Sequence, residues 1–105
     1  MKILSLTFHS VQEIITVWEN YLQQEFSEMI DNLLDVEKYI LSEVESEMIQ
    51  EGKNYNLLLV FENEEYRQQF LESELVNLEE RIVQKFGNQV MLFCTFLNPK
   101  KSRLI

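Results

Sequence analysis

The stretch NYNLLLVFENEEYRQQF, residues 54–70, changes period halfway along. Through Phe61 it is an almost unbroken apolar run, and Leu57, Leu58, Leu59, Val60 and Phe61 point alternately to the two faces of a strand. From Asn63 onward the apolar residues stand four apart, at Tyr66 and Phe70, the spacing of one helix face. A strand apolar on both faces therefore runs straight into an amphipathic helix.

The helix is well marked at both ends. Asn63 suits the cap, and Glu64 and Glu65 fall in the first turn, where the helix dipole favours negative charge. Its apolar stripe runs through Tyr66, Phe70, Leu71, Leu75, Leu78, Ile82, Val83 and Phe86, with Lys85 in the last turn and Gly87 as a left-handed stop. VMLFCTFL, residues 90–97, follows as a second strand apolar on both faces, before Pro99.

Upstream, IQEGKN (49–54) reads as a hairpin turn around Gly52. VEKYILSEVESEM (36–48) has period two, with Ile40, Ser42, Val44, Ser46 and Met48 on one face and Glu43, Glu45 and Glu47 on the other. The glutamates suit the solvated side of an edge strand, where charge discourages stray pairing. KILSLTF (2–8) alternates, with Leu4, Leu6 and Phe8 opposite Ser5 and Thr7. Ser10 and Glu13 have capping-box spacing. Behind them Val11, Ile14, Trp18, Tyr21, Leu22, Phe26, Met29, Ile30 and Leu33 form the apolar face of a long first helix.

The order is strand, helix, strand, strand, helix, strand. Right-handed crossovers leave few assemblies, and the usual one is the α+β, ferredoxin-like βαββαβ sandwich: a four-stranded antiparallel sheet with both helices on one face. Residues 1–98 form this single domain and 99–105 a basic C-terminal tail.

Helices cover one face of such a sheet, and the other should turn polar if it meets water. The first two strands meet that condition through Ser5, Thr7 and the glutamates. The last two do not. Either Leu58 and Val60 or Leu57, Leu59 and Phe61 must point away from the helices, and either Met91, Phe93 and Leu97 or Val90, Leu92, Cys94 and Phe96. Leaving such side chains in water forgoes roughly 1.5–3 kcal/mol each, and a contiguous patch of them marks an interface. The competing reading has a curled sheet or the C-terminal tail fold over the patch within one chain. A twofold homodimer with sheets face to face is the simplest partner arrangement, with Leu58, Val60, Met91, Phe93 and Leu97 as the expected contacts.

Composition excludes other classes. The chain carries 18 acids against 9 bases over 105 residues. Lys100, Lys101 and Arg103 are three of those bases, so the body before them sets 18 acids against six bases, a net −12. Such a body repels a phosphate backbone, and no nucleic-acid partner is expected. RNA-binding relatives of this topology need aromatic and basic residues where this chain has leucines. No apolar run approaches a membrane span, and the start is too short and interrupted for a signal peptide. A lone cysteine, Cys94, fits a reducing, cytoplasmic setting.

Trp18 and Tyr21, NYNLLLVFEN, and KFGNQVMLFCTFLN (85–98) with Phe86, Phe93 and Thr95 together resemble a family of small bacterial proteins known only as a domain of unknown function. That family belongs with the dimeric α/β-barrel group of ferredoxin-like proteins, so the resemblance implies the same fold, paired into a dimeric barrel. Members often carry His–x–Pro after the Trp helix and a basic residue before the Thr. This chain has Phe26, Ser27 and Glu28 there, and Cys94.

No catalytic constellation stands out. His9, the only histidine, lies at the end of the first strand with no serine or cysteine spaced to partner it, and reads as a turn residue. Cys94 among apolar neighbours reads as an inert buried thiol. Acidic groups at 43–47 and 62–65 lack the spacing of a cation loop, so neither a metal nor a cofactor is expected. If a small apolar ligand binds, His9, Trp18 and Tyr21 are the candidates, against core packing for the two aromatics. Two functions follow: a homodimeric interaction or ligand-sensing module without catalysis, or a small cofactor-independent enzyme acting on an apolar molecule beside the sheet.

Overall fold

The computed structural model describes residues 1–46 and 51–104. Four strands, β1 (Lys2–Ser10), β2 (Lys38–Glu43), β3 (Lys53–Phe61) and β4 (Val90–Leu97), form one sheet in the order β2-β3-β1-β4 with every neighbouring pair antiparallel. Between β1 and β2 lie α1 (Ile15–Tyr21), a π-helical turn (Leu22–Phe26) and α2 (Ser27–Asp31). Between β3 and β4 lie α3 (Glu64–Glu72) and α4 (Glu74–Phe86). This is the ferredoxin-like sandwich, with one open sheet face.

Register decides which residues face the helices. Leu4 pairs with Leu59, Leu6 with Leu57 and Lys2 with Phe61, and these apolar side chains are fully buried. They form the floor of a core whose roof is Trp18, Leu22, Phe26, Phe70, Leu78 and Ile82. Trp18 is its hub. It stacks on Tyr21 (5.7 Å, 19°), meets Phe86 edge-on at 5.3 Å, and lies 5.6 Å from Phe8. Its buried Nε1–H has no acceptor among the described residues.

The second helical layer starts as its sequence dictates, with Asn63 Oδ1 accepting the amide of Tyr66 at 3.0 Å. It breaks for one residue at Ser73, whose hydroxyl donates to Gln69 O at 2.8 Å, a local bond that competes with helix geometry. Tyr66 and Val83 of the expected stripe are exposed. Gly87 takes φ +59 after α4.

Four local expectations are corrected. Ser10 does not cap a helix: it is buried as the last residue of β1, because both neighbours extend the ladder to it, opposite Lys53 and Val90. Chain exit falls instead at Val11, which has no side-chain cap. The long first helix is interrupted by the π turn and stops at Asp31. In β2, Tyr39, Leu41 and Glu43 share the helix side while Lys38, Ile40 and Ser42 face the other way. The glutamate side is thus not the open face, because Lys53 holds Glu43 at 3.2 Å and Tyr39 donates to Asp31. Glu45 follows the end of the strand; Glu47, Met48, Ile49 and Gln50, part of the expected strand and turn, lie outside the described residues. Gly52 has φ +81, and a Cβ there would stand 2.2 Å from Ser10 O, so only glycine fits between β1 and β3.

Candidate functional site

The open face is read from the register as four cross-strand rows. Lys38, Val60, Ile3 and Leu97 form one; Ile40, Leu58, Ser5 and Thr95 the next; Ser42, Asn56, Thr7 and Phe93 the third; Asn54, His9 and Met91 the last. All five residues expected at a dimer contact (Leu58, Val60, Met91, Phe93, Leu97) lie on this face. They are unequally exposed. Phe93 is 55% exposed, Met91 45% and Leu97 40%, whereas Leu58 is half-buried and Val60 buried. The apolar excess sits on β4, not equally on β3 and β4.

Two residues sequence reasoning missed complete the patch. Ile40 is 59% exposed beside Leu58, and Ile3 lies between Val60 and Leu97. The parity of Tyr39 and Leu41 against Ile40 was the available signal, and the row of glutamates masked it. Between these apolar groups runs a self-satisfied polar strip: Asn56 Nδ2 donates to Ser5 Oγ at 2.7 Å and to Thr7 Oγ1 at 3.2 Å.

Charge is sorted as sharply. None of the open-face strand positions is Asp or Glu, in a chain with 18 acids, and Lys38 is the one cation among them. The acids lie on the helices, the connections and the helix side.

The three ligand candidates are not brought together. His9 is a strand residue, not a turn residue. It lies on the open face, its Nδ1 donating to Asn54 Oδ1 at 2.6 Å, with its ring beside Gly52. Trp18 and Tyr21 stack in the core on the other side of the sheet. Tyr21 borders a surface groove of about 490 Å³ with Glu25, Arg81 and Lys85; its hydroxyl is pushed up in pKa by burial, with Glu25 adding to the effect. Cys94 is exposed rather than buried, on the edge strand β4, where only Val90 is buried and Leu92 half-buried. Partial burial, with Glu79 second, pushes its thiol up, which opposes thiolate formation.

Two charged clusters hold the fold. Glu19 accepts from Lys53 Nζ at 2.6 Å and from the Tyr55 hydroxyl, and Lys53 also meets Glu43. The bonds from Lys53 and then Tyr55 hold Glu19 below the usual carboxylate range. Burial, then the bond to Glu19, pushes Tyr55 up to about 12, while Glu19 and Glu43 hold Lys53 well above its ordinary value. Lysine locked as a cation and tyrosine locked as a donor suit bracing, not proton transfer near neutrality. Arg67, only 5% exposed, donates through Nη1 to Ile3 O (3.1 Å), Leu97 O (3.4 Å) and Asn98 Oδ1 (3.2 Å) and lies over Phe96. It pins the start of β1 to the end of β4. Among the described residues no group of three His, Cys, Asp or Glu side chains is arranged to hold a metal ion, and no helix is long and apolar enough to cross a membrane.

The fold and its open, apolar sheet face define a ferredoxin-like α+β protein. The family model described as a domain of unknown function, DUF4286, matches residues 1–100, and the chain belongs to that family. No curated protein matches its sequence. Solved structures share the fold at low identity. One is a putative antibiotic biosynthesis monooxygenase from Deinococcus radiodurans, with a TM-score of 0.69 and 14% identity over 100% of this chain and 98% of that one. A dimeric ferredoxin-like protein from an uncultured marine organism gives 0.66 and 12%, over 100% of both chains. SnoaB from Streptomyces nogalater, described as a cofactor-independent oxygenase, gives 0.63 and 6%, over 96% of this chain and 95% of that one.

Proposed function

We propose that the protein is a homodimeric interaction module that pairs through its open sheet face and carries out no catalysis of its own. One observation carries this reading: the face richest in exposed apolar groups is also free of carboxylates, on a strongly acidic chain. Two copies meeting there oppose Phe93, Met91, Leu97 and Ile40 without opposing two negative charges, while any pairing through the helix side sets glutamates against glutamates. The fold shared with a protein described as dimeric supports the same arrangement.

Sedimentation equilibrium tests it. The chain is expected to be a dimer at micromolar concentration, and Phe93→Glu, which places a carboxylate on the clean face, a folded monomer. A monomeric parent chain at 100 µM (roughly 8 kcal/mol covers the micromolar range) would end the proposal.

The second reading is a small cofactor-independent enzyme. It draws on the fold shared with SnoaB and on an apolar groove between α4 and β4 lined by Glu79, Ile82, Val83, Val90 and Leu92. The groove measures about 240 Å³, below the roughly 300–1,000 Å³ of ordinary small-molecule sites. Its small size, with Glu79 as the one ionisable group among its lining residues, makes this the second reading.

A further inference from the structure

We infer that the basic segment beginning at Lys100 docks on the acidic body of the partner copy, acting as a charged strap across the proposed dimer. The inference rests on the homodimer reading and concerns what holds two like-charged subunits together.

Pairing through the sheet brings together two bodies that each carry a net −12 before residue 100. An acid-free contact face removes short-range repulsion, yet the helix-side charges of the two copies still repel over a screening length of about 10 Å at about 0.1 M salt. Lys100, Lys101 and Arg103 are the chain's one concentration of cations and contain no acid between them. All three are exposed, and none forms an ion pair among the described residues.

Their starting point is fixed. Arg67 holds Leu97 O and Asn98 Oδ1, so the chain leaves β4 at one corner of the sheet, next to the open-face residue Leu97. A strap anchored at the rim of the contact face begins beside the partner. Residues 99–104, extended at about 3.3 Å each, reach about 20 Å, which matches the shortest dimension of the molecule, 20 Å. In the proposed dimer the segment has the carboxylates of two bodies to choose between, its own and those of the other copy. The rim position favours the other copy, because docking there offsets the repulsion that pairing creates.

Two measurements test the strap. In sedimentation equilibrium, the full chain is compared with a chain ending at Asn98 and with the triple variant Lys100→Glu, Lys101→Glu, Arg103→Glu. In about 50 mM NaCl the full chain is expected to dimerise at least tenfold more tightly than the shortened one, and the triple variant more weakly still. The advantage should vanish in about 1 M NaCl, where the screening length is about 3 Å. The shortened dimer should tighten with salt, since only repulsion is left to screen. Equal affinities and equal salt dependence would overturn the strap and leave the dimer standing; a full chain monomeric in every salt would overturn both. Zero-length carbodiimide cross-linking of mixed ¹⁴N and ¹⁵N chains gives the direct reading. Peptides joining Lys100 or Lys101 to a carboxylate should include mixed-isotope pairs, and same-isotope pairs alone would show the segment folding onto its own subunit.

Discussion

On the covered face of the sheet, Leu4, Leu6, Leu57, Leu59 and Phe61 meet a roof of aromatic rings and lose all contact with water. On the open face the same strands present Ser5, Thr7, Asn56 and Leu58, bounded by the exposed apolar groups of β4. The backbone ladder is common to both, so the difference lies in side chains alone. A fully buried face reports on stability, whereas an apolar face left half in water reports on association. Substitutions on the two faces should therefore be read by different instruments.

The largest effect is expected under the helices. Trp18→Ala empties the hub of the core and should cost about 3–5 kcal/mol of stability, read as a lowered urea midpoint. Trp18→Phe should cost far less, because a phenyl ring keeps much of the packing against Phe8, Tyr21 and Phe86. A loss below about 1 kcal/mol for the alanine variant would mean that Trp18 is not the hub.

On the open face the expected loss moves from stability to affinity. Phe93→Ala should weaken the proposed dimer by about tenfold to a hundredfold, with two copies of the ring removed per assembly. The urea midpoint of the dissociated chain should stay within the equivalent of about 0.5 kcal/mol. If the variant instead unfolds like Trp18→Ala, the ring is structural and the division between the faces fails.

How much of this division the sequence carried can be judged residue by residue. Alternation in KILSLTF and the double-faced run in NYNLLLVF were legible because period two survives any tertiary arrangement. The Asn63 cap was legible for the same local reason. Ser10 was misread because a capping signature and a strand end look alike until two neighbouring strands compete for that backbone. The side of β2 occupied by Glu43 could not be seen without Lys53, ten residues away, since a charge pair can hold a glutamate on the helix side. His9 was separable from Trp18 only through register, because a strand end and a helix give no hint that they lie on opposite sides of a sheet.

Arg67 joins the two faces at one corner and gives an intermediate effect. Arg67→Met keeps the stem but loses the donors to Ile3 O, Leu97 O and Asn98 Oδ1, and should cost about 1–3 kcal/mol. Hydrogen exchange should quicken most at the end of β4. Uniform quickening along the sheet would show that the residue acts on the core as a whole, not as a pin.

The smallest effect is a matter of pH, and it belongs to the covered side alone. Glu19 is depressed in the folded chain from an ordinary 4.5, so its contribution is complete above that value and disappears as pH falls through the lower folded one. Tyr55 is raised from 10.0 to about 12, so its contribution is complete below pH 10 and disappears as pH climbs toward 12. Glu19→Gln should therefore lower stability at pH 7 modestly, by under about 1 kcal/mol for so exposed a cluster, and flatten the stability curve below pH 4.5. It should also make the alkaline fall smaller and bring its end from about pH 12 down toward pH 10, since the Tyr55 hydroxyl loses a charged acceptor. An alkaline limb that does not change in the variant would mean that burial alone holds Tyr55 neutral. The bond between helix α1 and strand β3 would then contribute nothing to bracing the edge of the covered face.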